Sequence, residues 1–203
     1  MSLGDQFFKV LNYYQERIRV KERTDHNPVK NSNPLWGTSH NRPAPVGMTL
    51  KTTIERGEAY SAPEIYNVEI TLLEIVRGHE AWERVKDQSP ANKPPKTGFE
   101  YVLARIRFYY FRRGRGSGGE TYQLLKGQFA AVSSNGEAEY EIPSILSQLQ
   151  PQLIDYTFSP GEFRDGWILF QVPKDEKKPL LTYKRQHAGG VHGVWGPTWF
   201  QLY

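Results

Sequence analysis

The chain has no cysteine. Disulfides, thiolate metal sites and a cysteine nucleophile are therefore excluded, although the absence assigns no compartment. No uninterrupted apolar stretch approaches the roughly 18 residues a membrane span requires. Gly4 to Val20 is amphipathic rather than a continuous apolar core, so it does not read as a signal peptide. Met1-Ser2-Leu3 reads as a vector-derived start, which would place any native leader upstream. There is no phosphate-binding P-loop, no dinucleotide fingerprint and no Gly-x-Ser-x-Gly elbow. Gly114 to Gly119 superficially resembles a phosphate loop, but no Gly-Lys-Ser/Thr follows and its flanks read as strands. No catalytic residue, cofactor or metal is expected, and the chain is read as a non-enzyme.

Aromatic side chains, by contrast, are abundant: 12 Tyr, 10 Phe and 5 Trp make up 13% of the chain. Flat, bulky side chains suit strands, where they pack across a pleated surface. With 203 residues the chain is long enough for one β domain with a core that needs no staple, plus an extension. The net charge is +4 and the isoelectric point near 9.2, a mild excess whose distribution matters more than its size.

At the N-terminus, Phe7, Val10, Leu11, Tyr14 and Ile18 fall on one helical stripe behind a capping Asp5. An amphipathic helix is expected to about Arg23, with Phe7, Leu11, Tyr14 and Ile18 available for self-association. Thr24 to Gly47 has a linker composition, with Asn27-Pro28, Asn33-Pro34 and Arg42-Pro43-Ala44-Pro45, and is expected to be extended and largely structureless. Strands follow. Met48 to Glu55 is the first, and Ile65 to Arg77 the second, where Val68, Ile70 and Leu72 change phase with Leu73 and Ile75 as a bulge would require. In Phe99 to Phe111 the residues Val102, Ala104, Ile106, Phe108 and Tyr110 share one face. Gln128 to Ser133 ends at the hairpin pair Asn135-Gly136. Leu153 to Phe158 precedes the turn Ser159-Pro-Gly-Glu162, after which Ile168, Phe170 and Val172 alternate up to Pro173. Leu180 to Arg185 and Thr198 to Tyr203 complete the set. Lys86 to Gly98, with three prolines, reads as a long surface loop, and Glu141 to Gln152 as a crossover holding one or two helical turns. The pattern predicts an all-β antiparallel sandwich of about seven to eight strands with an N-terminal α-helical extension. The organisation is 1–23 helix, 24–42 linker and 43–203 sandwich.

In order along the chain, Arg42-Pro43-Ala44-Pro45-Val46-Gly47, Tyr101-Val102, Phe129 with Asn135-Gly136, Ser159-Pro-Gly-Glu162, Gly166-Trp-Ile-Leu-Phe-Gln-Val-Pro173 and Trp199-Phe200-Gln201-Leu202 resemble the bacterial DUF4352 domains. These are similar to the telokin-like, immunoprotective extracellular antigen type of immunoglobulin-like sandwich. The resemblance covers roughly Pro43 to Tyr203. It implies an extracytoplasmic protein, secreted or a membrane-anchored lipoprotein, with no established catalysis and with an unknown protein or cell-envelope polymer as partner. The basic, glycine-rich run from Arg112 to Gly119 departs from the family pattern.

Two ligand surfaces are readable. Arg105, Arg107, Arg112, Arg113 and Arg115 lie among Phe108, Tyr109, Tyr110 and Phe111, a pattern that suits nucleic acid or another polyanion. Alternation alone explains most of it, with Glu100, Glu120 and other acids available to balance the charge, so nucleic acid is not the favoured partner. Trp195 and Trp199 could stack on a sugar, but Trp199 and its followers alternate as a core strand does. His187 and His192 match no zinc spacing. Glu137, Glu139 and Glu141 read as a solvated strand edge rather than a calcium loop. In the Ser159 to Pro173 stretch, Glu162, Arg164 and Asp165 read as turn and edge residues.

Overall fold

The computed structural model describes residues 35–56, 64–112, 121–145, 149–184 and 198–203. The side chains of residues 55, 56, 64, 65 and 112 are not described. All of these residues lie in one compact unit, Ser32–Tyr203. The chain forms β1 (Thr49–Arg56), β2 (Glu64–Arg77), α1 (Gly78–Gln88), β3 (Phe99–Arg112), β4 (Tyr122–Gln123), a 3-10 turn (Lys126–Gln128), β5 (Phe129–Val132), β6 (Glu139–Tyr140), β7 (Thr157–Phe158), β8 (Glu162–Pro173), β9 (Leu180–Tyr183) and β10 (Thr198–Gln201). The expected all-β antiparallel sandwich is present. A long sheet in the order β1-β2-β3-β8 faces a short sheet in the order β10-β9-β5-β6, and β4 pairs with β7 as a small ribbon. The ten strands exceed the expected count because β4, β6 and β7 are only two residues each.

The long strands obey the period-two pattern. Val102, Ala104, Ile106, Phe108 and Tyr110 of β3 and Ile168, Phe170 and Val172 of β8 all point into one core. The predicted bulge in β2 is real: register with β3 shifts between Leu72 and Glu74. Tyr66, Val68, Ile70 and Leu72 face inward before it, and Ile75 takes over after it while Val76 turns outward. Phe129, Leu181, Tyr183, Phe200 and Leu202 close the core from the short sheet. One end of the core is aromatic. Tyr66 stacks on Tyr110 at 4.9 Å, Tyr110 on Tyr122 at 5.2 Å, and the Tyr122 and Tyr183 hydroxyls share a 2.7 Å hydrogen bond. Burying these two phenols requires such a partner.

Three expectations need correction. Residues 86–88, assigned to a surface loop, end helix α1. Ala81 and Val85, one turn apart, pack with Val76, Tyr101, Leu103 and Leu169 on the outer face of the long sheet. The helix starts on Gly78 straight after β2 and has no side-chain cap at Arg77, so the usual start signal is missing. Second, Leu35 to Gly47 is not a structureless linker. Gly37 N–H donates to Arg42 O (2.6 Å), Trp199 N–H donates to Gly37 O (3.0 Å), and buried Ala44 forms a parallel bridge with Phe200 of β10. Prolines remove donors locally but leave their neighbours free to pair. Third, the described residues of Glu141 to Gln152 contain no helical turn, and only Thr157–Phe158 of Leu153 to Phe158 is strand. The expected N-terminal helix, with Phe7, Leu11, Tyr14 and Ile18, lies outside the described residues.

Candidate functional site

Arg105 and Arg107 stand on the outer face of β3, as alternation requires, and both are already paired. The Arg107 guanidinium grips Asp165 of β8 with two bonds, Nε to Oδ1 at 2.6 Å and Nη2 to Oδ2 at 2.8 Å. Arg105 lies 3.6 Å from the same carboxylate and 3.8 Å from Glu74. Arg107 is also stacked over the Phe163 ring at 5.3 Å. The balancing acids are thus Asp165 and Glu74. Glu100, expected in that role, instead pairs with Arg77 at 2.5 Å. A planar guanidinium held bidentate by a carboxylate has its best anion-binding edge occupied. The Arg112 side chain, Arg113 and Arg115 lie outside the described residues, as do Glu120, Trp195, His187 and His192.

Trp199 is half-buried. It packs on Ala130, Val132 and Leu180 and meets His40 edge-on at 5.9 Å, while Phe200 and Leu202 enter the core as expected. The three alternating glutamates do not converge. Glu139 bonds Lys184, Glu141 bonds Lys96 at 2.6 Å, and Glu137 accepts from Asn135 at 2.7 Å. Among the described residues no cluster of metal-ligating side chains forms. In the Ser159 turn, Glu162 accepts from the Tyr156 hydroxyl and from Ser159 N–H (2.9 Å), and Arg164 Nε donates to Gln152 O (2.6 Å). These are turn and edge roles, as the sequence suggested.

The structure places a cavity where the sequence suggested only a crossover. Residues after β6 run back along the outer edge of β8. Gln171 N–H donates to Glu141 O (3.0 Å), and Trp167 N–H donates to Pro151 O (3.2 Å). Gln152 then forms a parallel bridge with Trp167. Gly166 makes this approach possible: a Cβ there would sit 2.6 Å from Leu153 Cβ and 2.7 Å from Pro151 O. Beside these attachment points lies a cavity of about 250 Å³, lined by Trp167, Ile168 and Leu169 of β8 and by residues including Ile142, Ile145, Leu153 and Ile154.

The cavity wall mixes apolar side chains with four polar residues, Lys126, Ser144, Gln152 and Asp155. Lys126 and Asp155 are both exposed lining residues. Asp155 N–H donates to Leu124 O at 2.7 Å and Leu124 N–H to Tyr156 O at 3.0 Å, so one short backbone ladder brings both charges to the rim. Asp155 has φ = 63°, a left-handed conformation that aspartate tolerates better than most residues. Sequence reasoning missed this site. Its signal was an apolar set, Ile142, Ile145, Leu149, Leu153 and Ile154, with neither helical nor strand period.

Comparison with protein-family models, with curated proteins and with solved structures gives no match to this chain.

Proposed function

We propose that this protein is a non-catalytic binding module whose ligand enters the cavity between β8 and the crossover. The observation that carries the reading is that cavity: a space of about 250 Å³ lined by apolar side chains together with Lys126, Ser144, Gln152 and Asp155. That is the usual make-up of a small-ligand site. The absence of a catalytic role is supported by the carboxylates around β8. Glu162 and Asp165 are each committed to holding a turn or an arginine, which leaves them poorly placed for proton transfer. The sequence resemblance adds an extracytoplasmic setting, secreted or lipid-anchored, and a kinship with the DUF4352 sandwiches. Both belong to the same proposal.

A blocked mouth tests it. Ser144 lines the cavity and is exposed, so Ser144→Trp should fill the entrance without disturbing the core. A ligand at 100 times its Kd stabilises a protein by about 2.7 kcal/mol. Small apolar compounds that raise the melting temperature of the parent should then fail to raise that of Ser144→Trp. Compounds that stabilise both proteins equally would place binding elsewhere. Proteolysis of intact producing cells checks the setting: an exported domain is cut or shed, and an internal one is protected.

A further inference from the structure

The rim charges narrow the ligand. We infer that the cavity takes an apolar zwitterion the size of a single amino acid, its carboxylate facing Lys126, its ammonium facing Asp155 and its aliphatic side chain among Ile142, Leu153, Ile154 and Ile168. This rests on the cavity being the binding site, as proposed above.

Three observations support the charge pattern. Lys126 and Asp155 both line the cavity, and among the described residues neither is in an ion pair, with the other or with a neighbour. An opposite-charge pair at one mouth suits a ligand that carries both signs. A fatty acid would satisfy Lys126 and be repelled by Asp155, and an amine would do the reverse. The size also fits. About 250 Å³ falls below the ~300–1,000 Å³ typical of sites for drug-sized ligands, which matches a ligand the size of a single amino acid. Finally, Leu153, Ile154, Ile168 and Leu169 give the wall aliphatic surface for an apolar side chain; the remaining polar lining side chains are Ser144 and Gln152, whose amide nitrogen donates to Ile154 O at 2.8 Å.

Backbone amide NMR of the full chain tests the inference with four probes: leucine, N-acetyl-leucine, leucinamide and the uncharged 3-methylbutanol. Leucine should shift the Trp167 and Leu169 resonances and bind about 5-fold more tightly than either N-acetyl-leucine or leucinamide, which each lack one charge. The variants should divide this preference. Asp155→Asn keeps a residue that tolerates the left-handed conformation; it should weaken leucine and leucinamide about 5-fold and tighten N-acetyl-leucine, whose carboxylate it no longer repels. Lys126→Met should weaken leucine and N-acetyl-leucine and tighten leucinamide. Equal affinity for all four probes would overturn the zwitterion inference while leaving the cavity as a binding site. If none of the four moves a cavity resonance, the inference and the reading beneath it both fall.

Discussion

Gly166→Ala is the substitution on which the arrangement of the crossover turns. A Cβ at this position would lie 2.6 Å from Leu153 Cβ, 2.7 Å from Pro151 O and 2.8 Å from Leu153 N, where about 3.5–4.0 Å is the relaxed distance between carbons. Two of the three atoms are backbone, so no rotamer change relieves the contact, and the crossover must retreat by most of an ångström. Overpacking of this kind costs about 1–3 kcal/mol. The retreat also stretches the Trp167–Pro151 hydrogen bond and the Arg164–Gln152 bond, each worth about 1 kcal/mol. The φ at Gly166 is not in the left-handed region, so alanine gains about 0.4–1 kcal/mol by restricting the unfolded chain. The net loss is about 2–3 kcal/mol. For a domain of this size each kcal/mol lowers the melting temperature by about 2–4 °C, so calorimetry should show a fall of roughly 5–10 °C. Gly127→Ala is the control, because a Cβ there meets nothing within 4 Å, and it should stay within about 0.5 kcal/mol of the parent. If Gly166→Ala melts within a degree or so of the parent, the crossover is not seated on β8 and the cavity loses one of its walls.

Three further outcomes follow from the charged groups. Burial pushes the Glu176 carboxyl up, but hydrogen bonds from Lys178 and Ser134 N–H and from the Tyr140 hydroxyl outweigh it and hold its pKa below the ordinary 4.5. A depressed carboxylate contributes stability that is complete above its unfolded pKa and is lost as the pH falls through the folded value. Urea midpoints should therefore drop less between pH 5 and about 3 in Glu176→Gln than in the parent, and parallel curves would refute the assignment. Tyr140 is pushed up to about 12 by burial, by its bond to the Glu176 carboxylate and by the charges of Glu176 and Asp175. Its contribution to stability is full below its ordinary pKa of 10 and fades as the pH climbs through the raised value. Near-ultraviolet titration should find a late-ionising tyrosine that moves earlier in Glu176→Gln. Asp165→Asn removes the carboxylate that grips Arg107 and leaves Arg105 with Glu74; it should cost about 1–2 kcal/mol through the part-buried Arg107 guanidinium, and it should lengthen retention on a heparin column. Unchanged retention would mean that the pairing does not limit polyanion binding.

The long sheet was readable because its strands are long enough for their periods to show. β3 and β8 alternate over 14 and 12 residues, and the phase change at Leu72 located the bulge in β2. Helix α1 escaped because 11 residues with buried Ala81 and Val85 carry too few apolar positions to set a period, and its start has no capping side chain. Leu35 to Gly47 escaped for another reason: proline and asparagine content reports local backbone preference, not whether a neighbouring strand edge is available to pair with. The arginine partners were hidden because Arg107 and Asp165, 58 residues apart in sequence, become cross-strand neighbours only through the β3–β8 register.

The cavity illustrates the same limit from the opposite direction. An edge strand such as β8 presents unpaired backbone groups unless something covers it. The crossover provides that cover at Gln171 and at Trp167. A covering segment fixed at two points need not follow the strand between them, and its apolar residues then line a space instead of filling a core. Aperiodic apolar residues around two prolines, Pro143 and Pro151, are what such a segment needs: prolines that disfavour helix and strand locally, and enough carbon to stay attached to the sheet. The cavity therefore falls on the segment with the weakest secondary-structure signal. Arg105 and Arg107, which attract attention in the sequence, are instead held in ion pairs with their neighbours.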